Sequence, residues 1–184
     1  GADIAEASFS RRISYEWQPA GAAKVAVINA SGPIQRGEID PSVAIGSDTL
    51  RRALRRARTD ASIHGVLLRI DSGGGSGLAS DVIAREVSLL AEEKPVVVSM
   101  GATAASGGYY IAAPADQIIA QPVTVTGSIG VVALIPNVSK LSDKLGITWD
   151  QILIDRNAQF ASPFRELSGA ERQRLQESIE AFYE

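Results

Sequence analysis

An α/β fold built on a twisted, largely parallel sheet flanked by helices is the architecture this sequence predicts, and three observations predict it. Short β-branched runs at 24–29, 65–71 and 96–100 alternate with stretches of helical period. Turns of small residues, rich in glycine, follow the second and third runs. The chain has 184 residues and 45% hydrophobic content, enough to bury one sizeable core. Strand and helix in alternation form βαβ units, whose successive strands lie parallel.

The first run, 24–29, reads as a buried strand ended by Ser31, Gly32 and Pro33. Residues 46–58 then predict a helix capped by Ser47 or Asp48. Leu50, Ala53, Leu54 and Ala57 line one face, and Arg51, Arg52, Arg55, Arg56 and Arg58 occupy the other. That arginine face suits a solvated or subunit-facing surface. With a net charge of -3, no bulk attraction to nucleic acid exists, and none is expected as a partner.

The second strand, 65–71, runs into Ser72-Gly73-Gly74-Gly75-Ser76-Gly77, and a helix over 78–93 follows. The third strand, 96–100, leads to a small-residue turn over 101–105 and a helix starting at Ser106. Further short strands are expected at 117–120, 123–125 and 151–154, with helices over 138–145 and from 168 onward. A lead-in over 1–21 precedes a domain over 22–184. Because the chain stops inside an amphipathic helix, it reads as a fragment truncated at its C-terminus. No run reaches the roughly 18 apolar residues of a membrane span. The absence of cysteine excludes disulfides, thiol nucleophiles and cysteine-bound metal.

Both glycine-rich turns follow strands, which places them at the C-terminal edge of the sheet, where open α/β folds build their sites. The Ser72 to Gly77 turn lacks the spacing of a dinucleotide loop or a P-loop, so no phosphate cofactor, and no metal, is expected. Successive glycines instead let backbone N–H groups converge on one point, as an oxyanion hole requires. Ser106 lies among residues too small to shield it, with the N–H of Gly107 beside it. A serine there serves either as a helix cap or as a nucleophile. The one histidine, His64, lies before the second strand, at the wrong end for a catalytic triad. Lys24, Lys94, Lys140 and Lys144 all read as solvated surface lysines. No charged residue stands between Ser99 and Ala115, so the site edge should prefer apolar or small side chains.

Three motifs in this order, Ser72 to Ser76, Ala104 to Tyr110 and Thr126 to Gly130, resemble the signal peptide peptidase A family of serine–lysine proteases. The resemblance runs from about Ala22 to Phe182. It implies a fold like that of Clp proteases and crotonases, assembled into homo-oligomeric, membrane-associated rings or domes on the extracytoplasmic (periplasmic) face. It also implies cleavage of released signal peptides. By position, Ser106 is the nucleophile, Gly107 with Gly74 or Gly75 supplies the oxyanion hole, and Ser128 bonds the lysine. Gly73 replaces the proline usual in the family, which loosens the turn but keeps its donors.

The lysine itself departs from the pattern. In short members it lies ahead of a Ser-Pro like Ser162-Pro163, and the matching residue here is Ala158. Long members are two tandem copies, with lysine on the first and serine on the second. The segment Ser76 to Asp81 and the lead-in Arg12 to Tyr15 resemble the second copy. The expected partner is therefore a missing N-terminal half of the same protein, and membrane association is expected through parts absent from this chain. A lysine-to-alanine variant at Ala158 of a short-form enzyme is the alternative. A crotonase-type acyl-CoA enzyme and an inactive assembly scaffold are the other readings.

Overall fold

In the computed structural model, which describes residues 3–6, 23–150, 152 and 159–181, the expected β-branched runs form the central strands. The chain divides into two units, 1–130 and 131–184. In the first, the order is β1 (Asp3–Glu6), β2 (Lys24–Ser31), β3 (Ile34–Gln35), β4 (Ile45–Gly46), α1 (Ser47–Thr59) and β5 (Ile63–Ser72). Then come α2 (Gly77–Ala91), β6 (Val96–Ala105), α3 (Gly107–Ala112), β7 (Gln117–Ile119) and β8 (Val125–Gly127). Six of these strands make a sheet ordered β1-β2-β5-β6-β7, with β8 also on β6, and every pairing is parallel. The α/β class read from the sequence is the class observed.

Alternation along the strands decides what the sheet buries. Ile28, Leu68 and Val98 stand in register and are buried, as are Ala26, Ala30, Val66, Ile70, Val96 and Met100. They meet Leu50, Leu54 and Ala57 of α1 and Ala79, Ile83, Val87 and Leu90 of α2 in one core. Each large side chain fully buried there contributes about 1.5–3 kcal/mol. On the opposite face Val27, Leu67 and Val97 are only half-buried, and Asn29 and Arg69 are exposed. The strands expected to be wholly buried thus bury one face.

Polar contacts close the helix ends. Arg58 pairs with Glu86 at 3.2 Å and Glu93 at 2.6 Å, tying α1 to α2. Lys94 donates to the carbonyls of Ala57 at 2.8 Å and Asp60 at 2.6 Å, satisfying the end of α1. Ser76 caps α2, accepting from the N–H of Ala79. Neither Ser47 nor Asp48 caps α1. Gly46, which has no side chain to cap with, holds that position, and the Ser47 hydroxyl accepts from the N–H of Gly37 at 3.0 Å.

Two boundaries differ in a way that matters for the site. The expected turn over 101–105 is strand, since β6 continues to Ala105 beyond a bulge. Ile70 pairs with Met100, but Ser72 pairs with Ala104, so two steps along β5 are matched by four along β6. The short strand expected at 123–125 lies at Val125–Gly127.

The second unit contains α4 (Ser139–Leu145) and α5 (Gly169–Glu180), close to the helices expected there. Trp149 stacks on Phe164 at a centroid distance of 4.1 Å, and its indole N–H donates to Ser142 at 3.0 Å. Ser168 and Glu171 form a capping box at the start of α5. Arg165 binds the Glu171 carboxylate and the Gln159 carbonyl together. The strand expected at 151–154 lies outside the described residues except for Ile152, which belongs to no strand.

Candidate active site

Because β5, β6 and β8 are mutually parallel, the turns that follow them share one edge of the sheet. Close approach joins the turns. A Cβ placed on Gly74 would stand 2.6 Å from the Gly107 nitrogen and 2.9 Å from Ser106 Cβ. A Cβ on Gly107 would overlap the Ser80 hydroxyl, and one on Gly108 would meet the Ser72 carbonyl. The glycines on both turns are therefore the condition for their contact. Gly74 also has a φ of 96°, where a side chain is strained.

Ser106 sits where β6 turns into α3, with φ 51° and ψ -121°. A non-glycine residue held there costs on the order of 1–3 kcal/mol, and it persists where its surroundings fix it. Here the Ser106 N–H donates to the Gly127 carbonyl at 2.8 Å, and its carbonyl accepts from the Tyr110 N–H at 2.9 Å. Of the two roles open to this serine, capping is not the one observed: it occupies the N-cap position without a side-chain cap bond. Among the described residues its half-buried hydroxyl has no hydrogen-bond partner. A sharp strand-to-helix turn of this kind presents a hydroxyl for attack.

The Gly107 N–H lies in the first turn of α3 and so has no intrahelical acceptor. The two other candidate donors differ. The Gly74 N–H is already given to the Ser72 hydroxyl at 3.1 Å. Among the described residues the Gly75 N–H has no acceptor, while its neighbours are fixed by Ile34. The Ile34 N–H donates to Gly74 and the Ser76 N–H donates to Ile34, both at 2.9 Å. A Cβ on Gly75 would overlap the Ile34 backbone. Gly75 and Gly107 are thus the pair with N–H groups to offer.

Ser128 follows directly on the Gly127 carbonyl that holds Ser106, with φ 50° and an exposed side chain. Its hydroxyl has no partner among the described residues. His64 is exposed at the far end of β5, where its ring meets the Ser62 carbonyl at 3.1 Å. Lys24 begins β2 at that same far end, and Lys94 is committed to α1. Lys140 and Lys144 are exposed on α4. Ala158, the position matching a short-form lysine, lies outside the described residues.

Sequence reading missed Ile34, Ser80 and the Gly127 carbonyl. Ile34, directly behind Gly32-Pro33, is 1% exposed. The others depend on backbone approach, which side-chain pattern does not encode.

Residues 88–184 match the profile of peptidase family S49, so the chain belongs to that family. Protease 4 of Haemophilus influenzae is 47% identical over 130 residues, covering 70% of this chain and 21% of that protein. The chloroplastic serine protease SPPA of Arabidopsis thaliana is 42% identical over 166 residues, covering 88% of this chain and 24% of that protein. The chain thus spans about a fifth to a quarter of the length of these curated relatives. Among solved structures, a variant of the 1510-N membrane-bound stomatin-specific protease with a substrate peptide shares 25% identity at a TM-score of 0.46, covering 59% of this chain and 46% of that one.

Proposed function

We propose that this chain belongs to the nucleophile-bearing half of a serine endopeptidase that degrades released signal peptides, with its base supplied by a lysine on a preceding half. One observation carries the reading: Ser106, strained and uncapped, stands against a glycine turn, with the N–H groups of Gly75 and Gly107 uncommitted. Membership of a peptidase family and the serine protease name of the Arabidopsis relative support it.

Acyl transfer follows from those parts. A peptide carbonyl seated between the two N–H groups is attacked by Ser106 Oγ as the neutral lysine amine takes its proton. Charge developing on the carbonyl oxygen is stabilised by the two donors. The C–N bond then breaks, the lysine protonates the departing amine, and an ester to Ser106 remains. Water, deprotonated by the same amine, hydrolyses that ester and returns the serine. The lysine can act near neutral pH where a dry setting lowers its pKa, and Ser128 would orient it. The crotonase reading leaves Ser106 idle and is not favoured.

A membrane-associated homo-oligomer on the extracytoplasmic side is part of the same proposal. No helix among the described residues is long and apolar enough to cross a membrane. Reaction with a fluorophosphonate, after assembly of the chain with the lysine-bearing half, tests the nucleophile: one adduct on this chain, mapped to Ser106 and absent from Ser106→Ala, is expected, and an adduct elsewhere contradicts the assignment.

A further inference from the structure

We infer that Asp71 is a positioning residue for the serine turn: its carboxylate fastens the β6 bulge through which the chain reaches Ser106. Its catalytic consequence rests on the function proposed above; its structural part does not.

The bulge lies between the pairs Ile70–Met100 and Ser72–Ala104, directly opposite Asp71. A bulge takes backbone groups out of the β5–β6 ladder, and each half-buried N–H so released needs another acceptor. For Thr103 that acceptor is Asp71 Oδ1, at 3.0 Å. The carboxylate is held close. A Cβ on Gly101 would stand 2.9 Å from Asp71 Cγ and 3.0 Å from Oδ2, so only glycine leaves it room. From the other side, the Thr124 hydroxyl donates to the Gly101 carbonyl at 2.9 Å, and the Thr126 hydroxyl donates to the Ala104 carbonyl at 2.8 Å. The bulge is thereby pinned on both flanks.

Only Ala104 and Ala105 separate Thr103 from Ser106, and they are 0% and 7% exposed. A packed two-residue link transmits a shift of Thr103 to the serine rather than absorbing it. A displacement of about 1 Å at reacting atoms can cost roughly 10²-fold in rate. Asp71 therefore acts through the backbone, with no contact to the peptide. An ionised acceptor strengthens the bond, but its geometry requires only an oxygen at that point.

The test compares Asp71→Ala, Asp71→Asn and Gly101→Ala, the last crowding the carboxylate without removing it. Amide exchange at Thr103 and the amide chemical shifts of Ser106 and Gly107 are read on the chain. Fluorophosphonate labelling rates are read after assembly with the lysine-bearing half. Asp71→Ala is expected to expose Thr103 to exchange, move both shifts, and slow labelling about 10- to 100-fold with half-saturating probe unchanged. Gly101→Ala should reproduce this. Asp71→Asn should return the shifts and bring the rate within about threefold of wild type, since its amide oxygen still accepts. Unchanged shifts in Asp71→Ala, or an Asn variant as impaired as the Ala variant, would overturn the inference. If the wild type is never labelled at Ser106, the peptidase reading fails, and the amide measurements alone decide the role of Asp71.

Discussion

The Ser106 N–H donates to the Gly127 carbonyl across 2.8 Å, joining the residue that would attack to the residue beside Ser128. This bond is the last rung between β6 and β8, after the pair Ala105–Gly127. It holds two serines with positive φ, Ser106 at 51° and Ser128 at 50°, at one edge of the sheet. Strain of this kind recurs where a fold pre-organises a reacting group.

Gly74→Ala should remove activity. The new Cβ would meet the Gly107 nitrogen at 2.6 Å, and φ 96° disfavours any side chain. The two turns must separate, misplacing the Gly75 and Gly107 donors. Loss of one such donor costs on the order of 10²-fold in rate, and the backbone strain about 1–2 kcal/mol in stability. Labelling rate and denaturant midpoint measure the two effects; a variant with wild-type values in both would contradict the described contact.

Gly73→Pro should stabilise the chain. Space is open around Gly73, and Ser72 before it lies in a strand, as a residue preceding proline prefers. Reduced freedom in the unfolded state should raise stability by about 0.4–1 kcal/mol. Thermal unfolding checks the sign, and a lowered midpoint would place the Gly73 backbone outside the proline range.

Acid should loosen the start of α5 through Glu171. The Arg165 guanidinium, then the Ser168 N–H and hydroxyl, hold the Glu171 carboxyl down to about 2 from its ordinary 4.5. The folded pKa is the lower one, so the contribution is complete above about pH 4.5 and is lost as pH falls toward 2. Amide exchange in α5 should rise over that window in the wild type and lose that dependence in Glu171→Gln. A flat wild-type profile would show the pair to be broken in solution.

Peptide selection should favour apolar or small residues beside the cut, because no charge stands between Ser99 and Ala115 to pair with a charged side chain. A library profile dominated by cleavage beside Lys, Arg, Asp or Glu would contradict this.

The strand runs were legible because β-branched residues at 24–29, 65–71 and 96–100 form a pattern that tertiary packing reinforces. The glycine turns were legible for a related reason: glycine is required at Gly74 by backbone approach, and its density shows in the sequence. What misled was Gly101 to Ala105. Small residues there suggested a turn, whereas pairing with β5 and β8 keeps them in strand across a bulge. Choice between Gly74 and Gly75 as donor was likewise not legible, because it depends on the Ser72 hydroxyl taking the Gly74 N–H.

The split site is the central claim, and peptide hydrolysis by reconstitution tests it most directly. A serine without its base loses on the order of 10⁴- to 10⁶-fold in rate. The chain alone should therefore turn over peptide at a trace rate, and adding the lysine-bearing half should restore hydrolysis. The same mixture carrying Ser106→Ala should stay inactive. Robust, Ser106-dependent hydrolysis by the isolated chain would contradict the account, since a base would then lie within it.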